Sequence, residues 1–357
     1  MKGLLSTLIA VIIGFLTPIN TVGERELMNY LDHNSVISKM EKAAETIQAI
    51  FSEAERIATT LIQDYGEYTI SYKTTLYNIY LTKEAICFSY SPCGYVIVNM
   101  NDFSVPEFSP YADAPFMRET SMYEKNIYVG PLNYYKYNEI TEEVIEIKTG
   151  LRGEVCDFKY AYTKSQPMHC DETRKIYDEA GSRSTEAFFT NYAPVTWASN
   201  YLCGLDACAI VLKYLDSHHE SGLLGASFDD NGELQAYLLN NGYIPNEGTF
   251  ASDIVSGIDE YSGINAFFGA RGSSFTAAYD TYHDYNPYTI ANSVANDCPV
   301  IIGTDPATDW NYNDHWVIIY GCILGTTRYF VINDGWGNDG IFVTVLDDHY
   351  DDYIIFY

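Results

Sequence analysis

Three residues whose types together can perform nucleophilic chemistry stand at separated points of the chain. Cys203 begins a run that predicts a helix, His315 opens an apolar run, and Asn333 ends the next apolar run. A cysteine thiolate attacks carbonyl carbon, an imidazole moves the proton, and an amide can hold the imidazole in one orientation. The three residue types therefore indicate a thiol nucleophile, its base and an orienting group.

The histidine and the asparagine are expected on neighbouring strands. Trp316–Tyr320 and Tyr329–Ile332 are apolar runs separated by a turn-like segment, and this pattern predicts a β-hairpin. Such a hairpin would bring the imidazole of His315 and the amide of Asn333 together. The run NDGWG, which begins at Asn333, adds Trp336 as a cover that would keep water from the imidazole–amide bond.

The nucleophile has two candidates on one predicted helix, Cys203–Leu215. A helix N-terminus and a nearby imidazolium both stabilise a thiolate, which lowers a thiol pKa to roughly 3.5–7.5. Cys203 is placed for both effects. Cys208 points about 140° away from it and lies a turn inside the helix, so we expect Cys208 to pack in the core.

The charge of the chain excludes some partners. The net charge is −28, and so acidic a protein repels the phosphates of nucleic acid. In residues 186–357 the basic residues are Lys213, Arg271 and Arg328, against about twenty acidic ones. Nearly all lysines lie earlier in the chain, so the two halves are expected to attract each other, as an inhibitory segment and its enzyme would.

The N-terminus has the pattern of a secretory signal peptide. Lys2 precedes the apolar run Leu4–Leu16, which is too short for a comfortable membrane span of about 20 residues. We therefore expect residues 1–23 to be removed, the protein to be secreted, and no membrane span to remain. An uncleaved N-terminal anchor is the alternative.

The chain has eight cysteines, and export permits disulfides. Pairs Cys87–Cys93 and Cys156–Cys170 are allowed, although the sequence does not fix the connectivity. Because the cysteines and histidines lack zinc-site spacing, we expect no metal and no other cofactor.

The fold class indicated is α+β, in two domains. Residues 24–185 contain one helix followed by strands, and residues 186–357 lead with a helix and end in an antiparallel sheet. The predicted helices are Ser35–Gln63, Cys203–Leu215 and Tyr288–Ala295. The predicted strand regions are Tyr68–Met100, Lys125–Tyr137, Cys298–Gly303 and a final strand pair, Ile341–Leu346 with Tyr353–Tyr357. The polar stretch Asp171–Glu186 indicates an exposed linker that a protease can cut.

On these residues the second half resembles the papain-like cysteine peptidases, most closely the streptopain family of secreted bacterial enzymes, and also the bacteriocin-leader-processing peptidases. Cys203 falls where those families carry the nucleophile, at the start of a long helix. His315 before an apolar strand is similar to the family base, and NDGWG is similar to the family's Asn-x-Gly-Trp-Gly. The resemblance implies a papain-like catalytic domain with Cys203, His315 and Asn333 as nucleophile, base and orienting residue.

The resemblance extends to the first half, and it has two departures: the oxyanion donor differs, and the papain-type signature Cys-Gly-Ser-Cys-Trp is absent. Gly94–Phe116 is similar to the end of a streptopain-type inhibitory propeptide, which implies a zymogen released by cleavage within Asp171–Glu186. Where papain-like enzymes usually carry a glutamine as oxyanion donor, this chain has Trp197. The indole of Trp197 and the amide of Asn200 are the alternative donors, and one missing donor typically costs roughly 10²–10³-fold in rate.

Two other functions are compatible with these residues. The resemblance implies a secreted endopeptidase that hydrolyses protein or peptide substrates through a Cys203 acyl-enzyme and is inhibited by its own propeptide. A weak or inactive papain-like protein used for binding or inhibition is the first alternative, motivated by Trp197 and the many tyrosines. Another thiol acyl transfer, of the amidase or transglutaminase kind, is the second, because a triad alone does not define the substrate.

Overall fold

The computed structural model describes residues 33–116, 123–148, 150, 152–154, 185–188, 203–225, 228, 231–245, 250–258, 261–280, 287–304, 315–324, 328–335, 338, 340–344 and 350–357. Several expectations fall outside these residues: the signal peptide 1–23, the pair Cys156–Cys170, Trp197, Asn200, Trp336 and most of Asp171–Glu186.

The fold is mixed α+β, as the sequence predicts. The helices of the described residues are α1 His33–Gln63, α2 Cys203–His218, α3 Asn231–Asn240, α4 Ala251–Ser256, α5 Gly263–Arg271 and α6 Pro287–Ala295. The strands of the first half are β1 Thr69–Tyr77, β2 Lys83–Ser91, β3 Tyr95–Asn99, β4 Glu107–Ser109, β5 Glu124–Gly130, β6 Asn133–Asn138, β7 Glu143–Glu146, β8 Arg152–Glu154 and β9 Thr185–Phe188. The strands of the second half are β10 Ala277–Asp280, β11 Val300–Thr304, β12 His315–Leu324, β13 Arg328–Asn333, β14 Ile341–Thr344 and β15 Tyr350–Phe356.

One twisted sheet contains all the strands of the described residues. Its order is β10-β15-β11-β12-β13-β14-β4-β3-β2-β1-β5-β6-β7-β8, and β9 pairs with β12. Neighbours run antiparallel except β1 and β5, which are parallel. Strand β4 of the first half pairs with β14 of the second, Phe108 opposite Phe342 and Glu107 opposite Val343. The two halves are therefore joined by backbone hydrogen bonds of one sheet.

In the first half, α1 covers one face of the strands β2 and β3. Its inner side chains Ala54, Ala58 and Ile62 recur at helical spacing and are fully buried. They pack in a cluster with β-strand residues such as Phe88 and Val96. The helix predicted from Ser35 to Gln63 and the strands predicted within Tyr68–Met100 and Lys125–Tyr137 are confirmed.

Side chains of the two halves pack closely against each other at the junction of β4 and β14. Phe108 of β4 stacks on Phe342 of β14 with ring centroids 4.5 Å apart. The Ser109 hydroxyl donates to the Gly340 carbonyl at 2.8 Å. Gly340 has a φ of +64°, and a Cβ there would lie 2.5 Å from the Tyr111 ring, so this position needs glycine.

In the second half, α2 packs its apolar side against β12, with Leu205, Ala209 and Leu212 buried in the main core. The helices predicted as Cys203–Leu215 and Tyr288–Ala295 are confirmed, and so are the strand Cys298–Gly303 and the hairpin that joins β12 to β13.

The expected final strand pair is wrong in its pairing. β14 lies between β13 and β4, whereas β15 lies between β11 and β10. Both strands bury consecutive apolar side chains, Ile341–Val343 in β14 and Tyr353–Phe356 in β15. A strand that is apolar on both faces needs a covered position with neighbours on both edges, and pairing these two strands with each other alone would not provide it.

The allowed disulfide Cys87–Cys93 does not form, because both cysteines are free thiols. Cys87 lies in β2 opposite Ile97 and is buried in the main core. Cys93 lies in the turn before β3, and its sulfur is 3.5 Å from the Pro110 carbonyl oxygen. The two thiols thus have different surroundings, the main core for Cys87 and the Pro110 backbone for Cys93.

Candidate active site

The candidate site lies where the start of α2 meets the start of β12. Cys203 is the first residue of α2, and His315 is the first residue of β12. The backbone N–H of Trp316 hydrogen-bonds the Cys203 sulfur, which places the thiol beside the residue that follows the candidate base. The structure therefore places Cys203 against Trp316, the residue that follows His315 in β12.

The surroundings of the Cys203 thiol shift its pKa in both directions. It is half-buried, and burial is the main effect, raising the pKa of the thiol. The backbone N–H groups of Trp316 and Gly204 oppose this by stabilising the thiolate, whereas the charge of Asp206 adds to the rise. At neutral pH the resting group is a thiol, with donors already placed for a developing negative charge.

His315 is held by a backbone carbonyl. It is 8% exposed, and its Nε2 lies 2.7 Å from the carbonyl oxygen of Asp334. A carbonyl only accepts hydrogen bonds, so Nε2 carries the hydrogen and Nδ1 is the nitrogen that can take a proton. Burial lowers the pKa of His315 to about 4, the Asp334 contacts oppose this shift, and the Lys148 charge adds to it. The resting imidazole is neutral.

Asn333 does not make the ring contact expected of it. Its side chain is fully buried, and its Oδ1 accepts from the Gly335 N–H at 2.8 Å. Its Nδ2 has no hydrogen-bond partner within the described part of the chain.

The register of β12 and β13 explains why. Asn333 pairs with Ile318, so its side chain belongs to the face of Ile318. His315 precedes Ile318 by an odd number of residues and therefore belongs to the other face of the strand. The neighbouring backbone carbonyl of Asp334 takes the place that the amide was predicted to fill.

Asp334 is a site residue that sequence reasoning missed. Its Oδ1 accepts from the Asn338 N–H at 3.0 Å and its Oδ2 from Asn338 Nδ2 at 2.6 Å. Its N–H donates to the Asn338 carbonyl at 3.2 Å. The turn after β13 is thus closed by one buried carboxylate, and this turn carries the carbonyl that holds His315. The run NDGWG contains Asp334, but its spacing does not distinguish the aspartate from a turn residue.

Lys148, from the first half, completes the surroundings of Asp334. Its Nζ lies 3.0 Å from Asp334 Oδ2, with the Lys side chain 16% exposed and the Asp side chain 0% exposed. The ammonium also lies 5.9 Å from the centre of the Tyr134 ring. No signal in the sequence distinguishes Lys148 from other lysines, because the contact joins distant parts of the chain.

The second cysteine of α2 has the environment predicted for it. Cys208 is 1% exposed, and burial strongly raises the pKa of its thiol. Asp206 lies between the two cysteines in the helix, is 3% exposed, and accepts from the Gln235 side chain of α3. It adds a negative charge near Cys203 that the sequence reasoning did not consider.

The expected oxyanion donors Trp197 and Asn200, and the expected cover Trp336, lie outside the described residues. The backbone N–H of Cys203 is described, and it favours a negative charge on the sulfur. Such an N–H at a helix start is one donor suited to a developing oxyanion.

Comparison with known proteins adds no relative: no protein-family model matches the chain, and no curated protein matches it. Within the described helices, none is long and apolar enough to cross a membrane. Within the same residues, no cluster of three His, Cys, Asp or Glu side chains is placed to hold a metal ion.

Proposed function

We propose that the protein is a cysteine peptidase that hydrolyses peptide bonds through an acyl-enzyme on Cys203. The observation that carries this proposal is the hydrogen bond from the Trp316 amide to the Cys203 sulfur, next to a buried neutral His315. A thiol at a helix start beside a fixed imidazole is an arrangement suited to acyl transfer.

The mechanism follows from the two resting protonation states. With a neutral thiol and a neutral imidazole, His315 acts as a general base: Nδ1 takes the Cys203 proton as the sulfur attacks the substrate carbonyl carbon. The Cys203 N–H donates to the oxyanion. The imidazolium then protonates the leaving amine, and the neutral ring activates water that hydrolyses the thioester.

Orientation of the base is shared between two neighbours in this proposal. The Asp334 carbonyl holds Nε2 in the form described here. The Asn333 amide, whose Nδ2 has no partner within the described residues, is the predicted orienting group and lies one residue away. Rotation of the 333–335 turn would be needed for the amide to replace the carbonyl.

We also propose that the protein is exported and made as a zymogen. The sequence of residues 1–23 supports export. The ion pair between Lys148 and the buried Asp334 supports a role of residues 24–185 in covering the site, because it joins that segment to the residue that holds His315. Cleavage within Asp171–Glu186 would then release residues 186–357 as a papain-like catalytic domain.

The proposal is tested by thiol-dependent hydrolysis of a denatured protein substrate by the full chain and by its Cys203→Ala variant. We expect the variant to lose both hydrolysis and self-cleavage. Cys208→Ala is the matched control, since it removes a thiol from the same helix away from the site, and it should retain both activities.

The outcomes separate the alternatives. Hydrolysis that survives in Cys203→Ala refutes the proposal. A wild-type chain that binds a peptide without cleaving it, after removal of the first half by a protease, would favour a binding protein. Release of ammonia from glutamine side chains without backbone cleavage would favour an amidase or transglutaminase-like enzyme.

A further inference from the structure

An ion pair between the two halves lies next to the candidate base. Lys148 Nζ and Asp334 Oδ2 are 3.0 Å apart. Two lysine ion pairs of the first half stay within it, Lys136 with Glu124 and Lys125 with Glu139. They also leave their acidic partners partly exposed, whereas the Asp334 side chain is fully buried.

Two different atoms of Asp334 make the two decisive contacts. Its backbone oxygen lies 2.7 Å from Nε2 of His315, and its carboxylate contacts Lys148. A change in the position or in the net charge of the Asp334 carboxylate therefore affects the same residue whose carbonyl holds the His315 ring. Asn338 donates twice to the same carboxylate, so the turn keeps its closure when the lysine is removed.

We propose that Asp334 is a positioning residue that couples the first half to His315: its carbonyl holds the ring, and Lys148 neutralises its carboxylate until that half leaves. The proposal rests on the proposed function for its catalytic meaning. The contact itself, and its effect on the imidazole, can be measured without any peptidase activity.

The sign of the coupling follows from the charges. A carboxylate next to an imidazole favours the imidazolium, and an ammonium disfavours it. Burial is the main reason that His315 stays neutral, and in the full chain the Lys148 charge partly offsets the attraction that the Asp334 charge exerts on an imidazolium. Departure of Lys148 leaves the carboxylate uncompensated, so the imidazolium becomes more favourable. An imidazolium beside Cys203 stabilises the thiolate, so release of the first half would also activate the nucleophile.

Other groups near this pair have smaller effects or act on other partners. The Cys203 thiol contacts the backbone of Trp316, the residue after His315, and the charge of Asp206 raises the pKa of that thiol from within α2. Glu107 of β4 is coupled to Lys148 by charge, and its own pKa is raised by burial. The charged and titratable groups to be considered in the described residues are therefore Asp334, Lys148, Cys203, Asp206 and Glu107.

The test is an NMR titration of the His315 ring in the full chain, with Cys203→Ala as background to prevent self-cleavage and His315→Gln to assign the signal. In this background we expect a midpoint near pH 4, as burial and Lys148 dictate. Adding Lys148→Met, which keeps the length and removes the charge, should raise the midpoint by about one pH unit.

Three further variants make the result specific. Lys136→Met is the matched control, because it breaks an ion pair within the first half, and it should leave the midpoint unchanged. Lys148→Arg should restore the parent value, since it keeps the charge. Lys148→Gln, which keeps a donor to Asp334, should raise the midpoint as Lys148→Met does and serves as the second neutral variant if Lys148→Met does not fold.

The inference is overturned if the neutral variants at position 148 titrate like Lys136→Met, or if Lys148→Arg behaves like the neutral variants. A raised midpoint in a protein that never hydrolyses peptides supports the coupling and contradicts the proposed peptidase function. An unchanged midpoint in an active peptidase contradicts the coupling alone.

Discussion

Two buried polar centres interact with Lys148, one around Glu107 and one around Asp334 and His315, and they differ in how fully their atoms are paired. In the first half, the carboxylate of Glu107 accepts from the hydroxyls of Tyr95 at 2.5 Å and of Tyr134, and from the Leu132 N–H at 3.0 Å. Tyr128 adds a longer contact at 3.5 Å. In the second half, Asn333 Nδ2 has no partner in the described residues and the Cys203 thiol is half-buried.

The difference separates a structural network from a reactive one. Around Glu107 both carboxylate oxygens are used, which is typical of a group that holds a fold together. Around His315 the Asp334 carbonyl holds Nε2 of the ring, and the Nδ2 group of the buried Asn333 amide has no partner within the described residues. An unpaired buried donor costs about 1–3 kcal/mol, and such costs are concentrated at functional sites.

The largest expected effect is on catalysis at the reactive centre. His315→Ala removes the base, and we expect the rate of peptide hydrolysis to fall by roughly 10²–10⁴-fold. Urea unfolding should show a much smaller change than the 3–5 kcal/mol typical of a broken buried ion pair, because the ring is neutral and its removal leaves no buried charge without a partner. A variant that keeps the parent rate would remove His315 from the mechanism.

Glu107→Ala should have the opposite profile. It removes the acceptor of the buried Tyr95 and Tyr134 hydroxyls, and we expect the free energy of unfolding to fall by about 3–5 kcal/mol. Urea denaturation measures this loss. Glu139→Ala is the control, since Glu139 pairs with Lys125 near the surface, and it should cost less than about 1 kcal/mol. Equal losses for the two variants would contradict a structural role for Glu107.

The pH dependence of stability should also differ in sign between the two centres. The pKa of His315 is lowered from 6.5 to about 4 in the folded protein, so the unfolded chain binds its proton first as the pH falls. Neutral His315 makes its full contribution to the free energy of unfolding above pH 6.5, and about 3 kcal/mol of this free energy is lost by pH 4. His315→Gln should remove that part of the loss from urea unfolding curves between pH 7 and pH 4.

Glu107 acts in the other direction. Burial raises the pKa of its carboxyl above 4.5, so the folded protein binds that proton more tightly than the unfolded chain. Its contribution is complete below pH 4.5 and declines as the pH rises through the folded value. The free energy of unfolding of the wild type minus that of Glu107→Gln, measured between pH 4 and pH 7, should therefore decline as the pH rises. A difference that grows with pH would contradict a raised pKa at Glu107.

The smallest effect is expected at Asn333. Asn333→Ala loses the bond from Gly335 to Oδ1 but also removes a buried donor without a partner in the described residues. We expect these terms to offset to within about 1 kcal/mol of unfolding free energy. If the amide orients His315 during turnover, hydrolysis by the variant should still fall by at least about tenfold. A variant with full activity would assign orientation to the Asp334 carbonyl alone.

The sequence predicts the elements of the site better than their contacts. Helical spacing from Cys203 and the paired apolar runs after His315 are local patterns, and local patterns determine where elements begin and end. They correctly separate Cys203 at the helix start from Cys208 in the core.

What the sequence does not predict depends on register and on distant pairing. Whether Asn333 or Asp334 contacts His315 depends on the register of β12 and β13. A shift of one residue in that register moves each side chain to the opposite face of the sheet. The pairing of β4 with β14 and the contact of Lys148 with Asp334 join residues far apart in the chain. No periodicity reports such contacts, because either partner alone has the pattern of an ordinary surface or strand residue.

The central claim is that Cys203 is a nucleophile activated by His315, and alkylation of the full chain tests it most directly. Iodoacetamide would be added at several pH values, and the extent of modification at each cysteine read by peptide mass spectrometry. Cys93, also half-buried and free, is the internal reference. Because neutral His315 takes the thiol proton as the sulfur attacks, the account predicts that Cys203 reacts faster in the parent chain than in His315→Ala, whereas Cys93 reacts at the same rate in both. Equal Cys203 rates in the two proteins, or an equal slowing of Cys93, would contradict it.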